Sequence, residues 1–442
     1  MRALGSDALG RLVSATTLDH CAPLETAIVE TAGLSNVWSA TRLTFVATMQ
    51  RECAMHGSAA IAGIGESTYY KRGESPHTEF QLACIAIQRA IADAGLELGD
   101  IDGFVSYTDQ RNTPLRLARA LGLKALRWTG IPWAGGGNSL AAAVQNADAA
   151  ATAGYARHIV VFRALAQGQF GRYGQAGAGR GGAAYMEGPF AWNGPYGILT
   201  PAHQCALQTA RFMHDHGISQ EALCEVALAC YANAQRNPRA LRRGQPLTRE
   251  AYHASRWVVK PFHLYDCCPE NDGAAAAVVT TIERARDLRH RPATILAAAS
   301  GIGPQFGTFD VATLGSAHYR QVGEHLWEQA GCRPEDVDVA QFYENFTGPV
   351  LMALCEMGFT SPDALEEFVA GGRLVGPDAA FPFNTSGGNI GEAYIHGFEM
   401  INESVRQIRG DSTCQVANVA RALVVAGPGY CPGSAVLFGA PE

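Results

Sequence analysis

Apolar residues along the chain recur in two patterns, one typical of buried strands and the other of helices. The sequence AAIAGIGES at 59–67 predicts a buried strand that runs into a glycine turn. FQLACIAIQRAIADA at 80–94 has helical spacing of its apolar residues, and Gly95 directly after it predicts the end of that helix. Residues 1–57 show neither period, so we interpret them as an N-terminal extension and expect regular α/β structure to begin at residue 58.

An internal repeat is the most informative feature of the sequence. AGLELGDIDGFVSY and AGCRPEDVDVAQFY share an Ala-Gly pair, two aspartates and a final tyrosine in register. Three matching blocks occur in the same order, at 63–65 and 301–303, at 94–107 and 330–343, and at 135–137 and 387–388. Since self-similarity in a fixed order indicates repeated supersecondary units, we predict two copies of one strand–helix–strand–helix unit.

The repeat predicts an α/β fold in which helices cover both faces of mainly parallel sheets. We expect residues 58–164 together with 263–290 to form the first half, and residues 291–442 to form the second. Residues 165–262 separate the two halves and are too long for a simple connection. Because long insertions in compact domains usually form lids or pocket walls, we interpret 165–262 as an insertion that covers the substrate pocket.

Composition excludes several classes of partner. Of the 442 residues, 47% are hydrophobic and 17% charged, which is typical of compact globular proteins. The 34 basic and 41 acidic residues give a net charge of -7, so we expect no nucleic-acid partner and no anionic membrane surface. No apolar stretch has the length of a membrane span, and we expect a cytoplasmic protein whose 12 cysteines stay reduced.

Common catalytic and cofactor motifs are either absent or misplaced. The sequence has no G-x-S-x-G elbow, no phosphate-binding loop and no C-x-x-C pair, so hydrolase, nucleotide triphosphatase and zinc-ribbon interpretations lose support. Gly177, Gly179 and Gly182 satisfy G-x-G-x-x-G, but the nearest predicted strand ends well before them. We therefore expect no dinucleotide, no other cofactor and no metal in this chain.

Two blocks carry a family resemblance. SRWVVKPFHLYDCCPENDGAAAAVV at 255–279 and GGNIGEAYIHG at 387–397, together with the duplicated half, resemble the thiolase superfamily. The similarity is to its sterol-carrier-protein and lipid-transfer-protein branch, and it runs from about residue 59 to the end of the sequence. It implies the thiolase fold, with duplicated βαβαβαββ halves in a five-layered αβαβα arrangement.

Residues that catalyse the reaction in thiolases are changed in this sequence. The turn WAGGGNSLAAAVQ at 133–145 has no cysteine, although thiolases place their nucleophile on this turn. Tyr343 stands where the family has the asparagine of Asn-Glu-Ala-Phe, and Tyr394 stands where it has the histidine of Gly-His-Pro. The second cysteine of the family corresponds to Gly427, and Cys431 follows it four residues later. A thioester-condensing mechanism is therefore not expected.

With a tyrosine at each of these two positions, the sequence resembles the steroid side-chain-cleaving aldolases of the thiolase fold. The resemblance implies a lyase that cleaves a bulky 3-hydroxyacyl-CoA by retro-aldol chemistry into a ketone or aldehyde and a shorter acyl-CoA, such as propionyl-CoA or acetyl-CoA. Tyr343 and Tyr394 would be acid and base in an order that spacing leaves open, and His396 is a candidate for lowering a phenol pKa from about 10. Backbone N–H groups of the glycine turns are candidates for holding the enolate oxygen, at Gly136, Gly137, Gly427 and Gly429.

The resemblance also implies partners and leaves alternatives open. It implies an acyl-CoA substrate, a homodimer, and a small zinc-ribbon and OB-fold partner protein that can be linked to a hydratase. Arg163, Arg180 and Arg211 are available cations for CoA. A second interpretation is an acyl-CoA acyltransferase that uses Ser139 or Cys431 as its nucleophile, and a third is a lipid or acyl-CoA carrier without catalysis.

Overall fold

The structure is a computed structural model that describes residues 58–109, 111–133, 136–170, 191, 193–303, 314–427 and 432–441. Its strands are β1 (Ala59–Glu66), β2 (Tyr70–Lys71), β3 (Gly103–Ser106), β4 (Trp128–Gly130), β5 (Ile159–Ala166), β6 (Trp257–Val259), β7 (Phe262–His263), β8 (Asn271–Thr281), β9 (Ala293–Gly301), β10 (Val339–Phe342), β11 (Arg421–Ala426) and β12 (Gly433–Gly439). Its helices are α1 (Glu79–Ala94), α2 (Pro114–Leu121), α3 (Leu140–Thr152), α4 (Pro201–His216), α5 (Gln220–Ala234), α6 (Arg249–Ala254), α7 (Ile282–Ala285), α8 (Arg320–Ala330), α9 (Thr347–Glu356), α10 (Leu365–Val369), α11 (Gly388–Gly391) and α12 (Phe398–Arg409).

Strand order confirms the duplication. The first half follows the order β1-β8-β5-β3-β4, and the second half follows β9-β12-β11-β10. In the first half β1 pairs with β8, β8 with β5, and β5 with β3. In the second half the equivalent pairs are β9 with β12, β12 with β11, and β11 with β10. The two halves meet where β1 pairs with β9, at Ala60 with Thr294 and Ile61 with Ala293.

The aspartates of the repeat have the same structural role in both copies. An Asp102 side-chain oxygen accepts hydrogen bonds from the backbone N–H groups of residues 157 and 158, at 2.8 and 3.0 Å. Asp338 accepts from the N–H groups of residues 420 and 421, both at 2.8 Å. In each half this carboxylate accepts hydrogen bonds from backbone N–H groups at the start of an equivalent strand, β5 or β11. This shared role explains why the sequence repeats the aspartate.

Our prediction of mainly parallel sheets is wrong. Among the described residues, only the β3–β4, β3–β5 and β10–β11 pairs of the large sheet are parallel. The last strand of each half, β8 or β12, is antiparallel to both of its main neighbours. Strands with both faces covered are continuous apolar runs in either orientation, so their composition did not reveal the direction.

Three hydrophobic cores confirm the five-layered arrangement. The central core contains α3, α12 and the inner faces of strands from both halves, including Val144, Ile401 and Val424. A second core lies between the outer face of the first half and helices α1 and α2. A third lies between the outer face of the second half and helices α8 and α9. The layers are therefore helix, sheet, helix, sheet and helix.

Part of the predicted insertion contributes to the core of the second half. Phe212 on α4 and Leu223 and Val226 on α5 are buried in the same core as α8 and α9. The glycine motif at 177–182 lies outside the described residues, and so does Arg180.

No helix in the described part of the chain combines the length and the apolar character that crossing a membrane requires. The cysteines within the described ranges are free, in agreement with the expectation that they stay reduced. Cys267 and Cys268 pack against apolar neighbours.

We expect the Gly65→Ala substitution to destabilise the protein, whereas Gly303→Ala, at the equivalent position of the repeat, provides the matched control. A Cβ at residue 65 would lie 2.8 Å from the carbonyl carbon of Arg89 and closer still to other backbone atoms of α1, but at residue 303 the nearest atom would be 3.7 Å away. Overpacking against a rigid helix should lower the free energy of unfolding by about 2 kcal/mol. Guanidinium unfolding measures both variants, and equal losses would contradict this explanation.

Candidate active site

The structure brings the hydroxyl groups of Tyr343 and Tyr394 together. They lie 2.9 Å apart, within hydrogen-bonding distance, although the residues are 51 positions apart in sequence. Both side chains are buried, with 3% and 8% of each residue exposed. Tyr343 directly follows β10, and Tyr394 lies between α11 and α12. The two residues that replace thiolase asparagine and histidine therefore form one pair.

Backbone contacts from other elements fix both tyrosines. The Tyr343 N–H donates to the carbonyl of Val425 on β11 at 2.9 Å. The Tyr394 N–H donates to Oδ1 of Asn271, the first residue of β8, at 2.6 Å. Because β8 belongs to the first half of the repeat, the pair is assembled by both halves. Asn271 is fully buried, and the sequence gave no indication that it contributes to this site.

The ring of Tyr343 lies against the glycine turn that precedes α3. A Cβ at Gly137 would be 2.5 Å from the Tyr343 hydroxyl oxygen and closer still to its ring carbons. A Cβ at Gly397 would lie 2.7 Å from Cδ2 on the same edge of this ring. Any side chain at residue 137 would therefore overlap the ring of Tyr343 in this position, so the turn must carry glycine there.

Two of the predicted glycine segments meet at this place. Gly427 has φ of 111°, and a Cβ there would lie 2.7 Å from Cα of Asn138 in the turn Gly136–Ser139. The Tyr319 hydroxyl donates to the Ala426 carbonyl at 2.7 Å and also contacts the Gly427 carbonyl. Gly136, Gly137 and Gly427 are thus brought together. Gly429 lies outside the described residues, as do Tyr430 and Cys431.

His396 lies beside Tyr394 and is held by a buried arginine. The two rings are 5.2 Å apart between centroids and nearly perpendicular. Arg163 Nε donates to His396 Nδ1 at 3.1 Å, and Arg163 Nη1 lies 3.2 Å from an Asp109 carboxylate oxygen. The Tyr107 hydroxyl donates to the His396 carbonyl at 3.0 Å. Arg163 is therefore part of a buried cluster and is not a surface cation.

The imidazole of His396 is neutral in this environment. Burial, followed by the positive charges of Arg163 and Arg111, holds its pKa well below the usual value of 6.5. Any help that His396 gives to a phenolate therefore comes from a hydrogen bond and not from charge. The sequence did contain a signal for Arg163, since it is a charged residue within the apolar run of β5.

Of the other two cations considered for CoA, only Arg211 lies within the described residues. Arg211 on α4 lies on the surface, where its Nε is 2.7 Å from Asp215.

Ser139, the nucleophile of the acyltransferase alternative, is fully buried just before α3. Its hydroxyl has no hydrogen-bond partner within the described residues, so no base is placed there to activate it.

Glu344 is a buried carboxyl group that sequence reasoning missed. It follows Tyr343 and accepts hydrogen bonds from the Ile390 N–H at 3.1 Å and from Asn389 at 3.2 Å. Burial raises its pKa from 4.5 to about 8, because these hydrogen bonds only partly offset the loss of hydration. A protonated Glu344 puts no negative charge next to the tyrosine pair at neutral pH. The indication of this group in the sequence is a glutamate that directly follows Tyr343.

The geometry suits proton transfer without a covalent intermediate. Two phenols share a hydrogen bond in a buried site, and each can donate or accept a proton. Within the described residues, the turn at Gly136–Ser139 offers backbone N–H groups and no thiol. These groups match the requirements for moving a proton between oxygen and carbon while an oxyanion is stabilised nearby.

We expect Glu344→Gln to remove a pH-dependent component of stability. Between pH 4.5 and about 8 the native carboxyl keeps a proton that the unfolded chain has released, so the free energy of unfolding falls as the pH rises. Relative to the glutamine variant, the wild type should lose on the order of 5 kcal/mol across this interval. Guanidinium unfolding at several pH values measures the difference, with exposed Glu367→Gln as control. Parallel pH profiles for wild type and Glu344→Gln would contradict the assignment.

Comparisons with known proteins agree with this geometry. The family model "Thiolase C-terminal domain-like" matches residues 308–437. A steroid side-chain-cleaving aldolase of Thermomonospora curvata is 40% identical over 401 residues, which cover 87% of this chain and 98% of that protein. The 17-hydroxy-3-oxo-4-pregnene-20-carboxyl-CoA lyase of Mycobacterium tuberculosis is 39% identical over 393 residues, covering 87% of this chain and all 100% of the lyase.

A solved structure is also similar to this chain along most of its length. The structure described as an Ltp2-ChsH2(DUF35) aldolase superposes with a TM-score of 0.80 at 37% identity, and the match covers 87% of this chain and 98% of that one. Identity at this level over nearly the full length of the relatives confirms the resemblance seen in the sequence. The chain belongs to the steroid side-chain-cleaving aldolase family of the thiolase superfamily.

Proposed function

We propose that this chain cleaves a bulky 3-hydroxyacyl-CoA derived from a steroid side chain. The products are a ketone or aldehyde and a shorter acyl-CoA, such as propionyl-CoA or acetyl-CoA. The names of the two similar enzymes, a steroid side-chain-cleaving aldolase and a pregnene carboxyl-CoA lyase, support this substrate class. The observation that carries the proposal is the hydrogen-bonded pair of Tyr343 and Tyr394 at the altered thiolase positions.

The reaction needs one base, one site for an oxyanion and one acid. A base removes the proton of the 3-hydroxyl group, and the electron pair of that O–H bond forms the new C=O bond. The bond between the second and third carbons breaks, and its electrons form the enolate of the shorter acyl-CoA. The acid then gives a proton to the second carbon. No bond to the enzyme forms, so a site without a cysteine suffices.

Tyr343 is the better candidate for the base. Its hydroxyl lies against Gly137, in the turn Gly136–Ser139 that leads directly into α3. The N-terminus of a helix stabilises negative charge, which favours a phenolate at this position. Tyr394 then acts as the acid, because it already shares a hydrogen bond with Tyr343. The N–H groups of Gly136, Gly137 and Gly427 are the candidates for the enolate oxygen.

We propose a homodimer that pairs through the edge of the sheet. Among the described residues, β4 is the outermost strand of the first half and pairs only with β3. Large apolar side chains surround this edge: Ile131 and Trp133 follow β4 and are exposed, and Trp133 is 100% exposed. Exposed sheet edges with apolar neighbours are suited to pairing with a second chain. We therefore assign the dimer interface to β4.

A DUF35-type partner is part of the same proposal. The solved structure of this fold is described as an Ltp2-ChsH2(DUF35) aldolase. We propose a small zinc-ribbon and OB-fold protein of this type as the partner of our chain. Since hydration of an enoyl-CoA produces a 3-hydroxyacyl-CoA, an associated hydratase would supply the substrate.

Replacing either tyrosine by phenylalanine should reduce cleavage while leaving the fold intact. Tyr343→Phe and Tyr394→Phe keep the ring and remove one proton-transfer group, so kcat should fall by about 10²- to 10⁴-fold. Formation of the shorter acyl-CoA from a steroid 3-hydroxyacyl-CoA measures the rate. Tyr70→Phe, which packs against the outer core of the first half, is the control. Full activity in both single variants would refute the mechanism, and a trapped acyl-enzyme would favour the acyltransferase alternative.

A charge introduced at the sheet edge should separate the dimer. We expect Trp133→Asp to sediment as a monomer under conditions in which the wild type sediments as a dimer, because the aspartate would be desolvated in the interface. Trp257→Asp, on β6, provides a control at another exposed tryptophan. Sedimentation velocity gives the masses. A dimer that persists in Trp133→Asp, or is lost equally in the control, would place the interface elsewhere.

A further inference from the structure

We propose that Arg163 is a positioning residue that holds His396 in the neutral tautomer protonated at Nε2, so that the imidazole acts beside Tyr394 as a fixed hydrogen-bond donor. The role of this donor in retro-aldol cleavage rests on the function proposed above. The tautomer itself does not, because it is a property of the resting protein. The sequence analysis considered Arg163 only as a cation for CoA, and neither the motifs nor the resemblance assigns it a role toward His396.

The first argument is the direction of the hydrogen bond. A guanidinium group has donors and no acceptor, so Arg163 Nε must be the donor in its 3.1 Å contact with His396 Nδ1. Nδ1 therefore presents its lone pair, and the ring proton lies on Nε2. A proton on Nδ1 would place two N–H groups against each other. The contact thus selects one tautomer and excludes the imidazolium form.

The second argument is that Arg163 is itself fixed. It is only 1% exposed, and its Nη1 lies 2.8 Å from the Ala164 carbonyl and 3.2 Å from the Asp109 carboxylate. Asp109 is oriented by the N–H groups of Arg111 and Asn112, both at 3.0 Å. A buried guanidinium with a paired carboxylate has few alternative positions, since every displacement would leave a charge without its partner.

The third argument is the backbone of His396. Its φ is 52°, in the left-handed region that residues with a side chain rarely adopt. Such a conformation persists only where the surroundings determine it, and here the Tyr107 hydroxyl binds the His396 carbonyl at 3.0 Å. Backbone strain at this residue accompanies the placement of the imidazole between Arg163 and Tyr394. Strain of this kind clusters at functional sites.

Burial and the positive charges around His396 favour the neutral ring. Arg163 approaches from β5, and Tyr107, Asp109 and Arg111 approach from the segment that follows β3; Tyr394 lies on its own segment. Asp109 is the one anion among these groups, and Arg163 pairs with it. Burial and the two guanidinium groups therefore lower the pKa of His396 well below 6.5. The ring should stay neutral over the whole range in which the enzyme is assayed.

Nitrogen-15 NMR of the full chain with labelled histidine tests the tautomer directly. Two-bond ¹H–¹⁵N correlations distinguish a protonated from an unprotonated ring nitrogen, and the His396→Gln variant identifies the signals of His396 by their absence. We expect Nδ1 unprotonated and Nε2 protonated, without change from about pH 5.5 to 8. A proton on Nδ1, or titration of His396 near its ordinary pKa, would overturn the proposal. This measurement needs no substrate and no variant of Arg163.

Variants of Arg163 test the consequence for catalysis. Arg163→Met combined with Asp109→Asn avoids an unpaired buried charge, and it should let His396 titrate and exchange between tautomers. We expect kcat to fall about 100-fold and the pH profile to gain an acidic ionisation that the wild type lacks. Arg163→Lys, which keeps one donor and the charge, should restore the Nε2–H tautomer and part of the rate. An unchanged pH profile in the double variant would overturn the positioning role.

The outcomes separate this inference from the proposed function. If the wild type has no retro-aldol activity but shows the Nε2–H tautomer, the function fails and the tautomer assignment stands. If the wild type is active and His396 titrates normally, the function stands and the role of Arg163 is refuted. Arg211→Lys, at a surface salt bridge on α4, is the control for a general effect of an arginine substitution.

Discussion

The site depends on the contact between the ring of Tyr343 and the backbone of residue 137. The two lie so close that only glycine fits at this position. The absence of a side chain on the turn therefore does more than remove a nucleophile, because it creates the space into which a phenol is inserted. With the ring in this space, its hydroxyl lies 2.9 Å from the hydroxyl of Tyr394. A single steric constraint, glycine at residue 137, thus permits the acid–base pair.

Contacts between the two halves of the repeat make the site a shared product of both. Tyr343 and Tyr394 come from the second half, but Asn271 on β8 and Arg163 on β5 belong to the first. Each of these two first-half residues holds a group of the second half through a buried hydrogen bond. The tyrosine pair is therefore aligned by the packing of one half on the other, and its precision comes from strands in the interior and not from flexible loops.

Much of this arrangement could be predicted from the sequence, and the remainder could not for physical reasons. The repeat and the glycine turns are local patterns in a fixed order that located the strands, and the resemblance to thiolases singled out Tyr343 and Tyr394. The orientation of β8 and β12 leaves no mark on composition, because both faces of these strands are buried. Partners such as Asn271 and Asp109 are separated from the residues they hold by more than 50 positions, so spacing gives no information about them.

The start of α12 adds a last consequence of the duplication. α12 begins at Phe398, directly after the Gly397 that touches one edge of the Tyr343 ring, and the turn before its counterpart α3 touches the same edge through Gly137. The pseudo-twofold relation between the halves thus converges two helix dipoles, with their positive ends, on a single aromatic ring. The positive potential from these two helix N-termini is a property of the backbone fold and not of particular side chains. It would favour a thiolate as readily as a phenolate, which explains how one ancestral architecture can exchange sulfur for oxygen chemistry without being rebuilt.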